Sequence, residues 1–121
     1  CMLKLLAKPL TREQIQNLVQ AKVGWIVHTC NPRQVILFGS AARNEMTEAS
    51  DIDLIVIVDD NENTRAMHHL LAKTRPKDSW AQDLILVTQS EFVKKVQKGG
   101  GACWIANSEG ITVYQRKTNE P

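Results

Sequence analysis

Little in this sequence points toward a membrane, a disulfide framework or a polyanion. No apolar run approaches the ~20 residues that cross a bilayer. No basic start followed by a long apolar segment reads as a secretory leader, so a cytoplasmic location is expected. Three cysteines, Cys1, Cys30 and Cys103, are scattered without a shared spacing, which argues for reduced thiols. Cys1, preceding Met2, is given no role. The net charge of +2 is too small to argue by itself for nucleic acid or an anionic surface. GxxxxGK[ST] is absent, which excludes a P-loop protein, and no internal repeat is visible. What remains is the composition of an ordinary globular domain, with 43% apolar and 23% charged residues. The 121 residues suffice for one core, so a single domain spanning 1–121 is expected.

Helix and strand signals alternate along the chain. Thr11-Arg12-Glu13-Gln14 fits a capping box, with Leu10 and Ile15 as a hydrophobic staple. Ile15, Leu18, Val19, Val23, Ile26 and Val27 recur at helical spacing, and Asn31-Pro32 ends that helix. The pattern predicts strands over 35–38, 52–58, 84–87 and 111–114. Helices are predicted over 62–74 and 89–98, with a short one over 103–107. Residues 75–78 read as a turn, and those beyond Lys117 as frayed. The alternation indicates an α/β domain.

The chemistry concentrates in "FGSAARNEMTEASDIDLIVIV", residues 38–58. Side chains two apart on a strand share a face, so Asp51 and Asp53 stand together. Two carboxylates about 5 Å apart repel by about 3 kcal/mol at an effective dielectric of about 20. A shared proton would offset that repulsion, and a divalent cation would do so more fully. A third carboxylate, Asp83, opens the strand in "QDLILV", and three carboxylates at strand starts suggest a paired-metal site. Gly39 lets another group approach the backbone. Ser40 is a good helix N-cap, Ala41-Ala42-Arg43 begins a short helix, and the N–H groups at such a start bind anions. Arg43 adds a positive charge suited to phosphate. Phosphate binding beside a metal cluster suits a nucleoside triphosphate.

Chain direction constrains the topology. Gly39-Ser40 leaves the first strand, whereas Asp51 and Asp53 enter the second. Both meet one ligand only if those strands are antiparallel neighbours. Asp83 also sits at a strand entry, so the third strand runs parallel to the second, and residues 59–82 are long enough for a crossover carrying a helix. The expectation is a small mixed β-sheet flanked by helices, with the site on one edge of it.

Gly39-Ser40, ten intervening residues, then Asp51-Ile52-Asp53 resembles the GSx10DxD signature of the polymerase-β-like nucleotidyltransferases. The short length resembles the minimal nucleotidyltransferase branch, often the antitoxin partner of a HEPN-domain toxin. The resemblance covers residues 35 to about 115, including "QDLILVTQSEF" and "ANSEGITVY". It implies the polymerase-β-like fold, and ATP as substrate. Asp51 and Asp53 would hold two Mg²⁺ ions, with Asp83 holding one of them and helping to activate the acceptor hydroxyl. Gly39 and Ser40 would contact the β- and γ-phosphates, and Arg43 matches a basic position of the family's GSxxR segment. The implied reaction transfers a nucleoside monophosphate and releases pyrophosphate. With no large second domain to hold an acceptor, the resemblance implies AMP transfer to a tyrosine of a HEPN toxin. Oligomerisation is open, and neither a membrane nor nucleic acid as direct substrate is expected. Two positions depart from the commonest pattern: Ala41 stands where arginine is frequent, and Asn44 where glycine is. A contact-only antitoxin with a weak site and an aminoglycoside-like small-molecule transferase are the alternatives.

Other conspicuous residues have plainer readings. His68 and His69 are adjacent, so on a helix they diverge and form no metal pair. Lys94, Lys95 and Lys98 read as a solvated face. Trp25, Trp80 and Trp104 read as core or interface anchors. Gly99-Gly100-Gly101 reads as a flexible connection.

Overall fold

Helix α1 (Arg12–Cys30) starts where the sequence says it should. The Thr11 hydroxyl accepts the Gln14 N–H at 3.1 Å, and the Gln14 side chain accepts the Thr11 N–H at 2.8 Å. Leu10 and Ile15 pack into the same apolar cluster. Asn31, at φ 47, turns the chain left-handed before Pro32 and closes the helix through its N–H to the Val27 carbonyl. This computed structural model describes residues 7–77 and 80–117. Cys1, Asp78 of the expected turn and the expected fraying after Lys117 lie outside the described residues.

The remaining elements are β1 (Gln34–Phe38), β2 (Ile52–Val58), α2 (Thr64–Thr74), β3 (Gln82–Thr88), α3 (Gln89–Lys98), α4 (Gly101–Glu109) and β4 (Ile111–Gln115). The four strands form one mixed sheet in the order β3-β2-β1-β4. β1 pairs antiparallel with β2 and β4, and β2 pairs parallel with β3, as chain direction required. β1 and β4 are each one residue longer than expected, and three elements differ by two residues or more for identifiable reasons. β3 is longer than 84–87 because it pairs with β2 along its whole length, from Ile52↔Gln82 to Val58↔Thr88. α2 begins at Thr64, two residues late, because Asn63 Oδ1 caps it by accepting the Ala66 N–H at 3.0 Å. α4 is longer than 103–107 because it starts at Gly101, leaving a two-residue link rather than a long flexible one.

The sheet is covered on both faces. On one, Val35, Leu37, Leu54, Val56 and Val58 meet Ile15, Val19 and Ile26 of α1 and Leu71 of α2. On the other, Ile36, Ile55, Ile57 and Val87 meet Phe92 of α3 with Cys103 and Ala106 of α4. Cys30 and Cys103 are free and buried in different clusters. Among the described residues, no helix is long and apolar enough to cross a membrane.

Candidate functional site

Strand alternation explains why a buried strand opens on carboxylates. Asp53, Ile55 and Ile57 of β2 share a face, in register with Asp83, Ile85 and Val87 of β3. The helices α3 and α4 cover the isoleucine and valine rows and stop short of the aspartates. That face is apolar under the helices and acidic beyond them. Asp51 lies one residue before β2 and is exposed, as is Asp83, while Asp53 is half-buried. The site occupies the end of the sheet where β1 leaves and where β2 and β3 enter.

Asp53 is the electrostatic centre. Burial pushes its carboxyl above the ordinary carboxylate range, the charges of Asp83 and Asp51 push it further, and Arg43 opposes them. Opposite Asp53 across the antiparallel pair stands Phe38, and the next residue, Gly39, turns left-handed at φ +74. A Cβ at Gly39 would overlap the Asp53 carboxylate oxygen and sit 3.2 Å from its Cγ. Glycine is needed there twice, for its backbone and for the carboxylate resting against it.

Residues 39–44 are consecutive turns and not the expected short helix. The Arg43 N–H reaches the Gly39 carbonyl and the Glu45 N–H the Ser40 carbonyl, but Asn44 goes left-handed at φ 57 and ends the coil after one turn. Ser40 therefore caps no helix, and the dipole of a multi-turn helix is absent from the anion-binding argument. Arg43 faces the cleft with a partner the sequence did not suggest. Its Nε donates to Glu45 at 2.7 Å, and that bond, first among several causes, raises the guanidinium's pKa further. Ala41 is buried at 6% exposure, turned into the core rather than the cleft.

Gly39, Ser40, Arg43, Glu45, Asp51 and Asp53 line an open cleft of about 560 Å³, together with the 47–50 turn. Asp83 stands beside Asp53 in register, just outside that lining. A second hollow, of about 510 Å³, lies on the opposite face between α1 and the β1–β4 pair. Its walls carry no acidic group, so it lacks the chemistry of the cleft. His68, His69 and the three lysines of α3 are exposed, in keeping with their plain readings. Trp25 and Trp80 pack against the core, but Trp104 is 43% exposed and anchors nothing in the core. Sequence reasoning passed over two linkages: the Trp80 indole donates to the Ser50 carbonyl at 2.7 Å, and the Lys22 ammonium donates to the Trp80 carbonyl.

The cleft's donor set suits a hard cation. Its acids are carboxylates, and the glycine cradle admits the Asp53 oxygen that neighbouring charges already burden. Among the described residues, no three His, Cys, Asp or Glu side chains stand ready-gathered at one point. Mg²⁺ does not need that, because it is held by one or two carboxylates together with substrate phosphates.

Comparison with known proteins agrees with this arrangement. The crystal structure of a candidate nucleotidyltransferase from Sulfolobus solfataricus superposes with a TM-score of 0.56, covering 87% of this chain and 84% of that one at 16% identity. At that identity the likeness concerns the fold. No curated protein matches the chain. The family model for a nucleotidyltransferase domain matches residues 13–106, a span holding the glycine turn, all three aspartates, α3 and the first part of α4, and the chain belongs to that family.

Proposed function

We propose that the chain is a Mg²⁺-dependent nucleotidyltransferase that moves AMP from ATP onto a hydroxyl, a tyrosine of a HEPN-domain toxin, and so acts as that toxin's antitoxin. The observation that carries the transferase chemistry is the placement of Asp51, Asp53 and Asp83 at one end of the β2–β3 pair, with Asp53 resting against Gly39 and its carboxyl raised by burial and then by its acidic neighbours. Asp51 and Asp53 would hold the cation against the triphosphate, and Asp83 lies one strand away to receive the acceptor's proton. Gly39 and Ser40 offer backbone N–H groups to phosphate oxygens, and Arg43 a cation. Bound Mg²⁺ supplies charge neutralisation and polarisation at the phosphoryl group. The acceptor oxygen forms its bond to the α-phosphorus as the bridge to the β-phosphate breaks, and pyrophosphate departs. ATP, tyrosine and the HEPN partner rest on the resemblance of the signature.

A second reading, a contact-only antitoxin, draws support from two features of the cleft. Ala41 is buried where the signature often has arginine, and Arg43 is held by Glu45. One experiment separates the readings: purified protein, Mg²⁺ and lysate of the source cells, with ATP labelled on the α- or the γ-phosphate. Label reaching a protein from the α position alone, and lost with Asp51→Asn, supports transfer. Label from the γ position overturns it in favour of phosphoryl transfer. No label, with a HEPN partner still co-purifying, moves the weight to contact-only inhibition.

A further inference from the structure

Asp51 poses a question that the rest of the cleft does not. Asp53 lies inside a strand ladder and against Gly39, but Asp51 precedes β2, and its side chain makes no hydrogen bond among the described residues. Its carboxylate is aimed only by its backbone, and so by whatever holds Ser50. Every polar group of Ser50 is engaged. Its N–H donates to the Thr47 carbonyl at 3.0 Å, its hydroxyl accepts the Thr47 N–H at 2.9 Å, and its carbonyl accepts the Trp80 indole N–H at 2.7 Å. The first two close a local turn. The third comes from 30 residues away and fixes the plane of the peptide that joins Ser50 to Asp51.

Trp80 is in turn anchored from two sides. Its carbonyl receives Lys22 Nζ from α1 and Arg75 Nη2 at 3.5 Å. Lys22 is 4% exposed, its ammonium lying 5.9 Å from the centre of the Trp25 ring, and Trp25 Nε1 donates to Thr74 at 3.0 Å. Burying an ammonium costs several kcal/mol unless it is well bonded, so this anchor rests on a network linking α1, the end of α2 and the entry of β3. One residue on, the Ala81 carbonyl accepts the Ile52 N–H at 3.0 Å. Asp51 is thereby bracketed by bonds from consecutive residues, Trp80 to Ser50 and Ala81 to Ile52.

We propose that Trp80 is a positioning residue for Asp51: its indole N–H, held in place by Lys22 and Arg75, aims the Asp51 carboxylate into the cleft for cation binding. This rests on the cation-dependent reading above. Groups one step removed from a metal ligand typically alter affinity by ~10–100-fold.

The test uses the full chain with Mn²⁺ and α,β-methylene-ATP, which cannot transfer AMP. Free Mn²⁺ is followed by electron paramagnetic resonance, and amide hydrogen exchange and thermal unfolding are measured alongside. Trp80→Phe keeps an aromatic ring and removes the donor. The expected result is about tenfold weaker Mn²⁺ binding, faster exchange at Ile52, and unchanged exchange at Ile55. Lys22→Met, which keeps the indole, is expected to weaken Mn²⁺ by about threefold, and it carries the test if Trp80→Phe does not fold. Leu71→Ala controls for mere loss of stability. Wild-type Mn²⁺ affinity in the folded variants overturns the inference, as does a loss no greater than in Leu71→Ala at equal unfolding temperature. A wild-type chain that binds no more Mn²⁺ than Asp51→Asn overturns the cation-dependent reading itself, and the inference with it.

Discussion

β2 carries an aspartate pair at each end, Asp51 and Asp53 at its entry, Asp59 and Asp60 just past its exit. At the exit both carboxylates are bonded. Asp59 accepts from Arg116 at 2.8 Å and Arg33 at 3.0 Å, and those bonds hold its carboxyl below the ordinary range. Asp60 accepts the Ser90 hydroxyl at 2.5 Å and the Ser90 N–H at 2.9 Å, which lowers it too and ties the first turn of α3 to the sheet. At the entry the shift runs the other way, because Asp53 is partly buried and faces two more carboxylates. Identical side chains on one strand thus do opposite work. The exit is a finished structural joint, whereas the entry gathers like charge that Arg43 only partly opposes.

The most severe way to break this comparison is to neutralise the entry. Asp53→Asn is expected to lower nucleotidyl transfer at least about 100-fold, more than the loss of a typical outer-shell group, as read by release of α-labelled product. The same change is expected to raise the unfolding temperature of the cation-free protein at neutral pH by a few degrees. The sign follows from linkage. A carboxyl raised in the folded state penalises folding once pH exceeds that raised value, and the penalty vanishes below the ordinary carboxylate range. A variant that loses both activity and stability would mean that Asp53 is a structural group like Asp59.

Gly39 gives the next largest effect. Gly39→Ala meets strain at φ +74, about 1–2 kcal/mol for a side chain in left-handed backbone, and drives a methyl into the Asp53 carboxylate. Its cost in denaturant unfolding should shrink toward the backbone strain alone in an Asp53→Ala background. Gly110 sharpens the contrast from a position away from the cleft. A Cβ there meets Ile36 Cγ2 at 2.5 Å and the Leu37 carbonyl at 3.0 Å, so Gly110→Ala should cost about 1–3 kcal/mol of overpacking that Asp53→Ala does not relieve.

These positions also show what sequence can and cannot disclose. The strand directions followed from one requirement, that Gly39, Asp53 and Asp83 meet, and the sheet has those directions. The capping box at Thr11 and the glycine stop at Gly99 are local signals, and they act locally. What was illegible depended on distant partners. Asn44, standing where glycine is frequent, marks a left-handed turn that the structure has, but nothing near Ala41-Ala42-Arg43 shows that Glu45 takes Arg43. Lys22 and Trp80 meet across 58 residues, and an indole near a strand start reads as a plain apolar anchor until its N–H is seen to end on Ser50. Asp83 is legible as a strand entry, but the outermost pairs of β3, Gln82 with Ile52 and Thr88 with Val58, show only in the ladder.

Glu45 offers a gentler perturbation of the entry. Its carboxylate holds Arg43 and adds another negative charge to the cleft, against the phosphate binding proposed there. Glu45→Gln leaves the side chain's size and removes that charge, freeing Arg43 for an anion. The expected outcome is a few-fold lower KM for the nucleotide with kcat little changed. A rise in KM would mean that Glu45 orients Arg43 rather than competing with its ligand.

The smallest effect belongs to the exit. Asp59→Asn breaks two ion pairs, but their side chains are 28–42% exposed and partly screened by solvent, so the cost should stay below about 1 kcal/mol. Its pH dependence matters more than its size. A carboxyl lowered in the folded state stabilises above the ordinary carboxylate value, and that benefit is lost as pH falls through the depressed one. In acid the stability gap between wild type and Asp59→Asn should therefore close, while the opposite gap between Asp53→Asn and wild type closes at higher pH, as the raised Asp53 carboxyl takes up its proton. Salt provides a cross-check, because at 1 M the screening length falls to about 3 Å and an exposed pair loses much of its worth. Unfolding temperatures of the three proteins, taken through the acid range at low and high salt, would show two closures displaced from each other if the ends of β2 differ as described. A single shared closure would mean that the two ends are electrostatically alike.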